Sequence, residues 1–370
     1  MRRVAVIGAG PIGIAAAVGA HDRGFDVTLF EKGSVGEALR SWSTTRFFTP
    51  LSMNISSSMR SLLGDDAPPD DALLTGAEMI ERVLEPIASR EPLRGRIRTQ
   101  TRVTAIGRRG LLRSDYAGHP MRRERPFRIV LNDDEAVEAD VVLDATGGYA
   151  TPNPIGAGGL PAPGEKSLSA IRTLGALSSE VDALHGKRVL LVGDGHSAAN
   201  ALLMLRDARV VWAVRKPNRR PCEEVANDPL PERQRIVAAA NDLAEDPPSW
   251  LTVERRAVVE TIGRSEASLS GNRRVEFDRV AAFTGFHPNG CIHRELTVET
   301  SPVTEGSARL YRAIANVTDC LSVPRVTPDD LASGEPDFFF VGSRSYGRAP
   351  SFLLQTGLAQ LETILDILSV

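Results

Sequence analysis

The chain is poor in cysteine, and none of its cysteines is spaced for a dithiol. Its 370 residues contain three, Cys222, Cys291 and Cys320, and they form no C-x-x-C motif. This spacing excludes a disulfide framework, a zinc ribbon and a thioredoxin-type redox centre. A single redox-active thiol, with Cys320 included, stays open as an alternative, although an isolated cysteine more often packs in a core.

Long hydrophobic runs and one-signed charge clusters are also missing. No apolar run reaches the roughly 18 residues that a membrane span requires, and the chain enters a strand at Arg3 with no room for a signal peptide. The formal net charge is −3, and Lys and Arg form no stripe of the kind that binds nucleic acid. We therefore expect a soluble, cytoplasmic protein that binds neither membranes nor nucleic acids.

Residue clusters typical of hydrolytic or metal-dependent enzymes are absent as well. The six histidines are scattered along the chain, and the sequence contains no recognisable pattern of a Ser-His-Asp set, a carboxylate pair or a metal-ligand cluster. We expect no bound metal. The length predicts two or three domains at about 150 residues each, and the apolar content of 42% is ordinary for a globular protein.

What the sequence does contain is a pattern of strand, glycine turn, helix and strand near its start. An apolar strand at residues 3–7 leads into Gly8-Ala9-Gly10-Pro11-Ile12-Gly13, a helix over 14–23 and a strand over 26–30 that ends at Glu31. In such a unit the glycines allow a sharp turn, close approach of a pyrophosphate and tight helix packing. The helix N-terminus attracts the phosphates, and the acid binds a ribose. The alternative is a tight turn of an ordinary α/β protein.

The pattern returns near the middle of the chain with the opposite charge at its end. A strand over 187–192 precedes Gly193-Asp194-Gly195-His196-Ser197-Ala198, a helix over 197–206 and a strand over 209–214, followed by Arg215-Lys216. A carboxylate favours a free ribose 2′-OH, whereas basic residues favour a 2′-phosphate. The first copy therefore predicts FAD and the second NADPH. A solvated turn at the basic pair, with Arg219 and Arg220 behind it, is the alternative.

Two more glycine turns follow apolar strands, where the chain is expected to cross between domains. The strand over 140–144 runs into Ala145-Thr146-Gly147-Gly148, and the strand over 280–283 runs into Thr284-Gly285. A hairpin of 127–131 with 136–139 is predicted before the first of them.

These features resemble the two-dinucleotide-binding-domain flavoproteins, which include thioredoxin reductases and flavin-containing monooxygenases. The resemblance covers nearly the whole chain and extends through 337–360. Within this group the chain is most similar to stand-alone bacterial FAD-dependent oxidoreductases of the monooxygenase-like branch. Their ending, G-x-x-S-Y-G-R-x-x-x-F-L-L-x-T-G, is matched by Gly342, Ser345-Tyr346-Gly347-Arg348, Phe352-Leu353-Leu354 and Thr356-Gly357.

The resemblance implies an α/β fold with two Rossmann-like dinucleotide-binding domains, the NADPH domain inserted into the FAD domain. We place the first part of the FAD domain at 1–160, the NAD(P)H domain at 161–285 and the second part of the FAD domain at 286–370. A C-terminal helix over 351–368 would point its N-terminus at the flavin and stabilise negative charge on reduction. A plain amphipathic closing helix is the alternative.

Three departures from the group limit what the resemblance implies. The C-x-x-C pair of the disulfide reductases is missing, which argues against that activity. The usual Gly-Asp near the chain end, whose acid holds the flavin ribityl, reads Gly342-Ser343, so that Ser343 or a backbone N–H would supply the contact. The F-x-G-x-x-x-H fingerprint of flavin-containing and Baeyer–Villiger monooxygenases is also missing.

Candidate site residues follow from the motifs and the resemblance. The segment 42–54 is expected to run beside the flavin, with Trp42 and Phe48 as neighbours of its ring or adenine. Two candidate catalytic residues are Asn54, hydrogen-bonding the flavin or a peroxide, and Arg348, acting on substrate or flavin; a turn asparagine and a surface arginine are the alternatives. The cofactor-binding candidates are Gly8, Gly10, Pro11, Ile12, Gly13, Glu31, Lys32, Trp42, Val103, Thr146, Gly147, Gly193, Gly195, His196, Ser197, Ala198, Arg215, Lys216, Thr284, Gly285, Gly342, Ser343, Phe352 and Thr356.

The function expected from the sequence is that of an FAD-dependent NAD(P)H oxidoreductase. We favour a monooxygenase-like enzyme that reduces FAD with NADPH and oxygenates a small organic substrate with O₂. An electron-transfer reductase without a redox disulfide stays open, as does a flavoprotein that binds FAD for structure or regulation. A homodimer also stays open.

Overall fold

The computed structural model describes residues 1–149, 151–317 and 320–369. The chain divides into two compact units. The terminal unit consists of Met1–Leu39, Thr49–Thr151 and Phe286–Val370, and the inserted unit consists of Arg40–Phe48 and Pro152–Gly285.

The regular elements of the described residues are given in chain order. The strands are β1 (Arg3–Ile7), β2 (Asp26–Phe30), β3 (Ile97–Arg98), β4 (Val103–Arg108), β5 (Phe127–Leu131), β6 (Glu135–Ala139), β7 (Val141–Asp144), β8 (Thr151–Pro152), β9 (Arg188–Val192), β10 (Arg209–Ala213), β11 (Leu251–Glu254), β12 (Val259–Ile262), β13 (Glu266–Leu269), β14 (Arg273–Glu276), β15 (Arg279–Ala282), β16 (Phe286–His287) and β17 (Phe338–Phe340).

The α-helices are α1 (Pro11–Asp22), α2 (Glu37–Arg40), α3 (Ser57–Leu63), α4 (Gly76–Met79), α5 (Glu85–Ser89), α6 (Leu174–Glu180), α7 (His196–Met204), α8 (Pro231–Glu245), α9 (Ala308–Ile314), α10 (Pro328–Leu331), α11 (Ser343–Tyr346) and α12 (Leu354–Ser369). Short 3₁₀ segments lie at Leu51–Met53, Gly64–Asp66, Pro120–Glu124, Ala157–Gly159, Glu165–Ser167, Val181–Leu184 and Cys291–His293, and a π-helical turn lies at Ile80–Leu84.

The terminal unit is built on a parallel sheet with the strand order β17-β7-β1-β2-β3. In its centre, Val4 of β1 pairs with Val27 on one side and with Val141 on the other. Strands covered on both faces are apolar throughout, which explains the continuous run at 3–7. The helix α12 packs on α1, where a Cβ on Gly19 would come within 2.7 Å of Leu365 Cδ1. The antiparallel strands β4, β5 and β6 form a separate sheet that shares a core with β1 and β7.

The inserted unit repeats the design with the parallel order β11-β10-β9-β15. Its larger core contains residues of α6, α7 and α8 together with the fully buried Trp212. A second core lies between the parallel sheet and the antiparallel sheet β12-β13-β14. The predicted α/β fold with two Rossmann-like domains, one inserted in the other, is confirmed.

The predicted elements are present, with shifted ends. Gly10 is extended and serves as the N-cap, and Pro11 occupies the first helical position, where proline is favoured because that residue needs no N–H partner. The helix α1 therefore begins three residues before the predicted start at Ile14. Likewise, α7 begins at His196 and ends at Met204, before the predicted end.

Two segments lie in a different unit from the one the sequence analysis gave them. Residues 152–160 were placed in the FAD domain, but Ile155 packs in the inserted unit's core with Ala162 and Val259. Residues 40–48 were also placed there, but their backbone and side chains contact the inserted unit. Neither segment has a composition that marks its side of the boundary, because the contacts that hold it are distant in sequence.

Within the described residues, no helix is both long and apolar enough to cross a membrane.

A buried ion cluster holds the carboxyl-terminal part of the terminal unit in place. The Glu335 carboxylate lies 2.8 Å from Arg108 Nε and 2.9 Å from Arg122 Nη2, and all three side chains are fully buried. Arg108 also stacks 3.7 Å from the Phe127 ring centroid. Burial alone would raise the pKa of Glu335, but hydrogen bonds from Arg122, Thr297 and Arg108 outweigh it and hold the pKa below its ordinary value.

We expect Glu335→Gln to lower the free energy of unfolding by about 3–5 kcal/mol, because it leaves two buried guanidinium groups without their counter-charge. Glu305→Gln is the matched control: Glu305 pairs with Arg348 at 2.9 Å, but both side chains are partly exposed, so the loss should stay below about 1 kcal/mol. Urea unfolding of both variants measures the difference, and equal losses would contradict the assignment.

Candidate functional site

The first glycine turn is tight because its backbone meets a neighbouring strand. Gly8 has φ +101°, and a Cβ there would lie 2.6 Å from the carbonyl oxygen of Ala145. A Cβ on Gly13 would lie 1.8 Å from Gly8 O. Both glycines are therefore required by the fold itself, as the sequence analysis predicted for the turn and for helix packing.

Gly10 and Gly195 differ from these residues because no contact among the described residues requires them to be glycine. Their φ values, −78° and −91°, suit any residue, and a Cβ on either would meet none of the described atoms within 4 Å. Each is the N-cap of a helix, and neither helix has a side-chain cap on its first N–H groups. Each turn thus offers free space in front of an uncapped helix N-terminus, which fits a phosphate group approaching the backbone.

Glu31 is held against the first turn. Its carboxylate is buried and accepts hydrogen bonds from the N–H of Ala9 and the N–H of Gly33, each at 2.8 Å. A carboxylate has about four acceptor sites, so that two remain for the hydroxyls of a ribose. Glu31, which was predicted to bind a ribose, thus also fixes the backbone of the turn, a role that the sequence did not indicate.

Asp144, at the end of β7, organises the predicted turn at Thr146 and Gly147. Its Oδ1 accepts hydrogen bonds from Thr146 N at 3.1 Å and Thr146 Oγ1 at 2.7 Å, and its Oδ2 lies 3.3 Å from Arg344 Nε. Asp144 and Arg344 are both completely buried. One carboxylate thereby joins the turn to α11.

Arg344 connects this pair to a buried histidine. Its Nη2 lies 2.8 Å from His293 Nε2, its Nη1 donates to Glu305 O at 2.9 Å, and its guanidinium lies 4.4 Å from the Phe340 ring centroid. Burial lowers the pKa of His293 to about 4, with Arg344 adding to the effect and Asp144 opposing it. His293 is therefore neutral near pH 7, and its Nε2 accepts the hydrogen bond from Arg344.

Sequence reasoning missed Asp144, Arg344 and His293. The signal for the first two was a charged residue directly beside each of the segments Ala145-Thr146-Gly147 and Gly342-Ser343. His293 carries no such signal, because only the folded chain brings it to Arg344.

Gly342 and Ser343 lie against both predicted turns of the terminal unit. A Cβ on Gly342, which has φ +63°, would lie 2.9 Å from Ile12 Cγ1. The Ser343 hydroxyl oxygen accepts a hydrogen bond from Gly148 N at 3.2 Å, which leaves its proton free to donate. The start of α12 reaches the same place, since a Cβ on Gly357 would lie 2.8 Å from Ile12 Cδ1.

Other predicted cofactor neighbours in this unit have local roles. The Thr356 hydroxyl donates to Leu353 O at 2.7 Å near the start of α12, and Phe352 packs on Tyr346 with ring centroids 5.3 Å apart. The Val103 side chain is buried in the core shared with β1, while Lys32, next to Glu31, is exposed.

Asn54 has a local structural role, and its catalytic role stays a prediction. Its side-chain oxygen accepts a hydrogen bond from Thr49 Oγ1 at 2.6 Å, and its side-chain nitrogen donates to Thr49 O at 2.9 Å. The residue is 2% exposed and follows a 3₁₀ turn. The turn asparagine, given above as the alternative, describes it better.

Trp42 and Phe48 lie in the inserted unit, where Trp42 packs on Phe47 at 5.0 Å and Phe48 packs edge-on against His196 at 5.5 Å between ring centroids. Their place beside the flavin ring or its adenine stays a prediction.

Arg348 is an exposed residue whose guanidinium pairs with Glu305 and whose N–H donates to Thr304 O at 2.7 Å. This geometry favours the surface arginine over a catalytic role.

The second glycine turn, in the inserted unit, has the same construction as the first. Gly193 has φ +121°, and a Cβ there would lie 2.4 Å from Phe283 O. Ala198 takes the position of Gly13, with its Cβ 3.7 Å from the Cβ built on Gly193. The exposed His196 and Ser197 follow Gly195 at the start of α7.

The basic residues after β10 do not act as one cluster. Lys216 lies 4.0 Å from Glu223, Arg219 lies 3.6 Å from Glu245, and Arg220 pairs with Glu224, Asp242 and Glu245 at 2.8–3.0 Å. Arg215 is exposed and forms no ion pair within the described part of the chain. An open pocket of about 450 Å³ beside them is lined by Lys216, Asn218, Arg220, Pro221, Cys222, Glu223 and Glu224.

Thr284 and Gly285, which follow Phe283, contact Asn153. The Thr284 hydroxyl donates to Asn153 O at 2.6 Å, and Asn153 Nδ2 donates back to Thr284 O at 3.0 Å. Gly285 has φ +83° and would bring a Cβ within 3.2 Å of that amide nitrogen. These contacts join the two segments where the chain enters and leaves the unit. Among the described residues, no three His, Cys, Asp or Glu side chains converge as a metal site requires.

Comparisons with known proteins agree with this geometry. Residues 5–111 match the family described as pyridine nucleotide-disulphide oxidoreductase. No curated protein sequence matches the chain. Among solved structures, the chain is similar to the bacillithiol disulfide reductase of Bacillus cereus, with 19% identity, a TM-score of 0.73 and coverage of 100% of this chain and 98% of that one.

Two further solved structures are also similar. The flavin-containing monooxygenase of Stenotrophomonas maltophilia has 17% identity, a TM-score of 0.67 and coverage of 100% of this chain and 99% of that one. OTEMO, solved in complex with FAD and NADP, has 15% identity, a TM-score of 0.66 and coverage of 100% of this chain and 84% of that one. At these identities the likeness shows the fold, and the predicted resemblance is confirmed at that level.

We expect Gly10→Val and Gly195→Val to separate the two sites. A side chain at either position enters space that only a ligand would use, so each variant should fold normally. Gly10→Val should lose bound FAD, and Gly195→Val should keep FAD and lose affinity for NADP⁺. Flavin absorbance of the purified protein and calorimetric titration with NADP⁺ measure the two effects. Each variant is the control for the other, and a shared loss of both ligands would contradict separate sites.

Proposed function

Because the chain has the fold of the two-dinucleotide-binding-domain flavoproteins, we propose that it is an FAD-dependent oxidoreductase that takes electrons from NADPH. The observation that carries the proposal is the pair of glycine turns, each leaving open space before an uncapped helix N-terminus, one at Gly10 and one at Gly195. An acid follows the first turn and a base follows the second, which supports two different dinucleotides.

The terminal unit is the proposed FAD site. The backbone around Gly10 would hold the pyrophosphate, and Glu31 would accept hydrogen bonds from the ribose. The Asp144–Arg344 pair fixes the turn at Thr146, and the Ser343 hydroxyl has a free proton to donate to the ribityl chain. FAD supplies the two-electron chemistry when bound, and the chain binds, orients and shields it.

The inserted unit is the proposed NADPH site, with Arg215 as the main 2′-phosphate ligand. Three of the four basic residues after β10 are near carboxylates, so that a bound phosphate would have to compete for them. Arg215 is exposed and has no such competitor in the described residues. It can therefore offer two N–H groups to a phosphate without breaking an ion pair.

Thiol chemistry is not part of the proposal, although the family match and one similar structure carry disulfide reduction in their names. Burial raises the pKa of Cys222 to about 12, so that it is not a thiolate near pH 7. Cys291 is exposed and Cys320 is half-buried, and neither belongs to a C-x-x-C pair. The match to the family described as pyridine nucleotide-disulphide oxidoreductase thus supports electron transfer from a pyridine nucleotide, without a disulfide as the acceptor.

The electron acceptor distinguishes two forms of the proposal. In the first, NADPH and a proton reduce a small acceptor such as a quinone, giving NADP⁺ and the two-electron-reduced acceptor. In the second, NADPH, a proton, O₂ and an organic nitrogen, sulfur or carbonyl compound give NADP⁺, water and the oxygenated product. Asn54 was the residue nominated to act on an oxygen species, and its amide is bound to Thr49. This observation favours the first form, and the likeness to flavin-containing monooxygenases keeps the second as the alternative.

We expect the FAD-loaded protein to oxidise NADPH under strict anaerobiosis when menadione is supplied, with one quinone reduced per NADPH. Coenzyme absorbance and quinol production measure the ratio. No anaerobic turnover, together with NADPH oxidation that requires both O₂ and an added amine or thioether and yields an equal amount of oxygenated product, would establish the monooxygenase instead.

We expect Arg215→Ala to reduce kcat/KM for NADPH by roughly 10- to 100-fold and to leave NADH nearly unchanged. The reason is the loss of charge-assisted hydrogen bonds to the 2′-phosphate, worth about 1.5–3 kcal/mol. Arg219→Ala is the matched control. It removes an equal charge four residues further along the chain, from a side chain that lies 3.6 Å from Glu245, and should reduce kcat/KM for NADPH by less than about threefold. Steady-state kinetics with both coenzymes decide, and equal losses for NADPH and NADH would contradict the assignment.

A further inference from the structure

The segment 40–48, which we name the strap, is fixed to the helix α6 of the inserted unit. Gly175 N donates to Ser41 O at 2.8 Å, and the hydroxyls of Thr44 and Ser178 lie 3.3 Å apart. A Cβ on Gly175 would lie 2.7 Å from Ser41 O, so that only glycine lets the strap approach this closely. The strap therefore packs on α6 in a defined position, although the two segments are far apart in the chain.

The last residue of the strap contacts the second glycine turn. The Phe48 ring meets the His196 ring edge-on, with centroids 5.5 Å apart and an interplanar angle of 86°. Phe48 is half-buried against the core that contains α7. His196 is the first residue of α7 and follows Gly195, whose outer side is open.

This arrangement places an aromatic pair beside the N-terminus at which a pyrophosphate would bind. The imidazole is exposed and carries donor and acceptor nitrogens, whereas Phe48 offers an apolar surface next to it. A hydrogen-bonding group and a water-excluding ring, side by side at an uncapped helix end, fit the phosphate and the ribose of a dinucleotide.

We propose that Phe48 and His196 form one wall of the nicotinamide-dinucleotide site, at the pyrophosphate and away from the 2′-phosphate. The strap then belongs to the coenzyme site, and the sequence-based assignment of Phe48 to the flavin is replaced. The inference rests on the proposed NADPH function, adds Phe48 to that site and assigns the candidate His196 to its pyrophosphate region.

The test compares two ligands that share the adenosine 2′-phosphate group. NADP⁺ contains the pyrophosphate and nicotinamide, and adenosine 2′-monophosphate lacks both. We expect Phe48→Ala and His196→Ala to weaken NADP⁺ binding about three- to tenfold and to change binding of adenosine 2′-monophosphate less than twofold. Bound FAD should be unchanged. Calorimetric titration of the FAD-loaded protein gives both dissociation constants, and flavin absorbance gives the FAD content.

Two further variants keep the result interpretable if Phe48→Ala is destabilised. Phe48→Leu keeps apolar volume at the position and should still weaken NADP⁺ selectively. Phe47→Leu alters a buried ring of the same strap that packs on Trp42, and it should leave NADP⁺ affinity within twofold.

Four outcomes would overturn the inference. Unchanged NADP⁺ affinity, or equal losses for both ligands, would remove Phe48 and His196 from the pyrophosphate region. Loss of FAD with normal NADP⁺ binding would return Phe48 to the flavin. A wild-type protein that binds FAD but neither NADP⁺ nor NAD⁺ would overturn the proposed function, and the inference with it, and this result is seen before any variant is made.

Discussion

In both parallel sheets the first strand in the chain ends in a turn whose backbone lies very close to the end of a neighbouring strand, so that no side chain fits between them. A Cβ on Gly8 would clash with Ala145 O after β7, and a Cβ on Gly193 would clash with Phe283 O after β15. Two residues after each of these glycines comes the N-cap of a helix, Gly10 or Gly195, with no side-chain cap and with open space beside it. Both candidate cofactor sites therefore depend on this close approach of the backbone.

Buried charged side chains fix the second predicted turn of the terminal unit, at Thr146. The Asp144 carboxylate spans from Thr146 to Arg344, and Arg344 reaches His293 and the backbone of Glu305. Such a set is costly to bury unless every member has a partner, and it resists small displacements for the same reason. The turn that would face the flavin is therefore fixed by residues from three separate stretches of chain.

The limits of prediction from sequence follow from the range of the interactions involved. The strands at 3–7 and 26–30, the glycine turns and the acid at Glu31 are local patterns, and the structure contains them as predicted. No motif encodes the hydrogen bonds between Asn54 and Thr49, so the sequence did not indicate them. The contact between Phe48 and His196 joins residues far apart in the chain, and His293 was missed because its partner lies 51 residues away.

We propose that this chain binds both FAD and NADPH and passes electrons from the second to the first. Anaerobic titration of the purified, FAD-loaded protein with NADPH tests this most directly. We expect the flavin absorbance to be lost in proportion to added NADPH, with one NADPH reducing one FAD. A protein that retains no FAD, or whose bound FAD stays oxidised in excess NADPH, would contradict it.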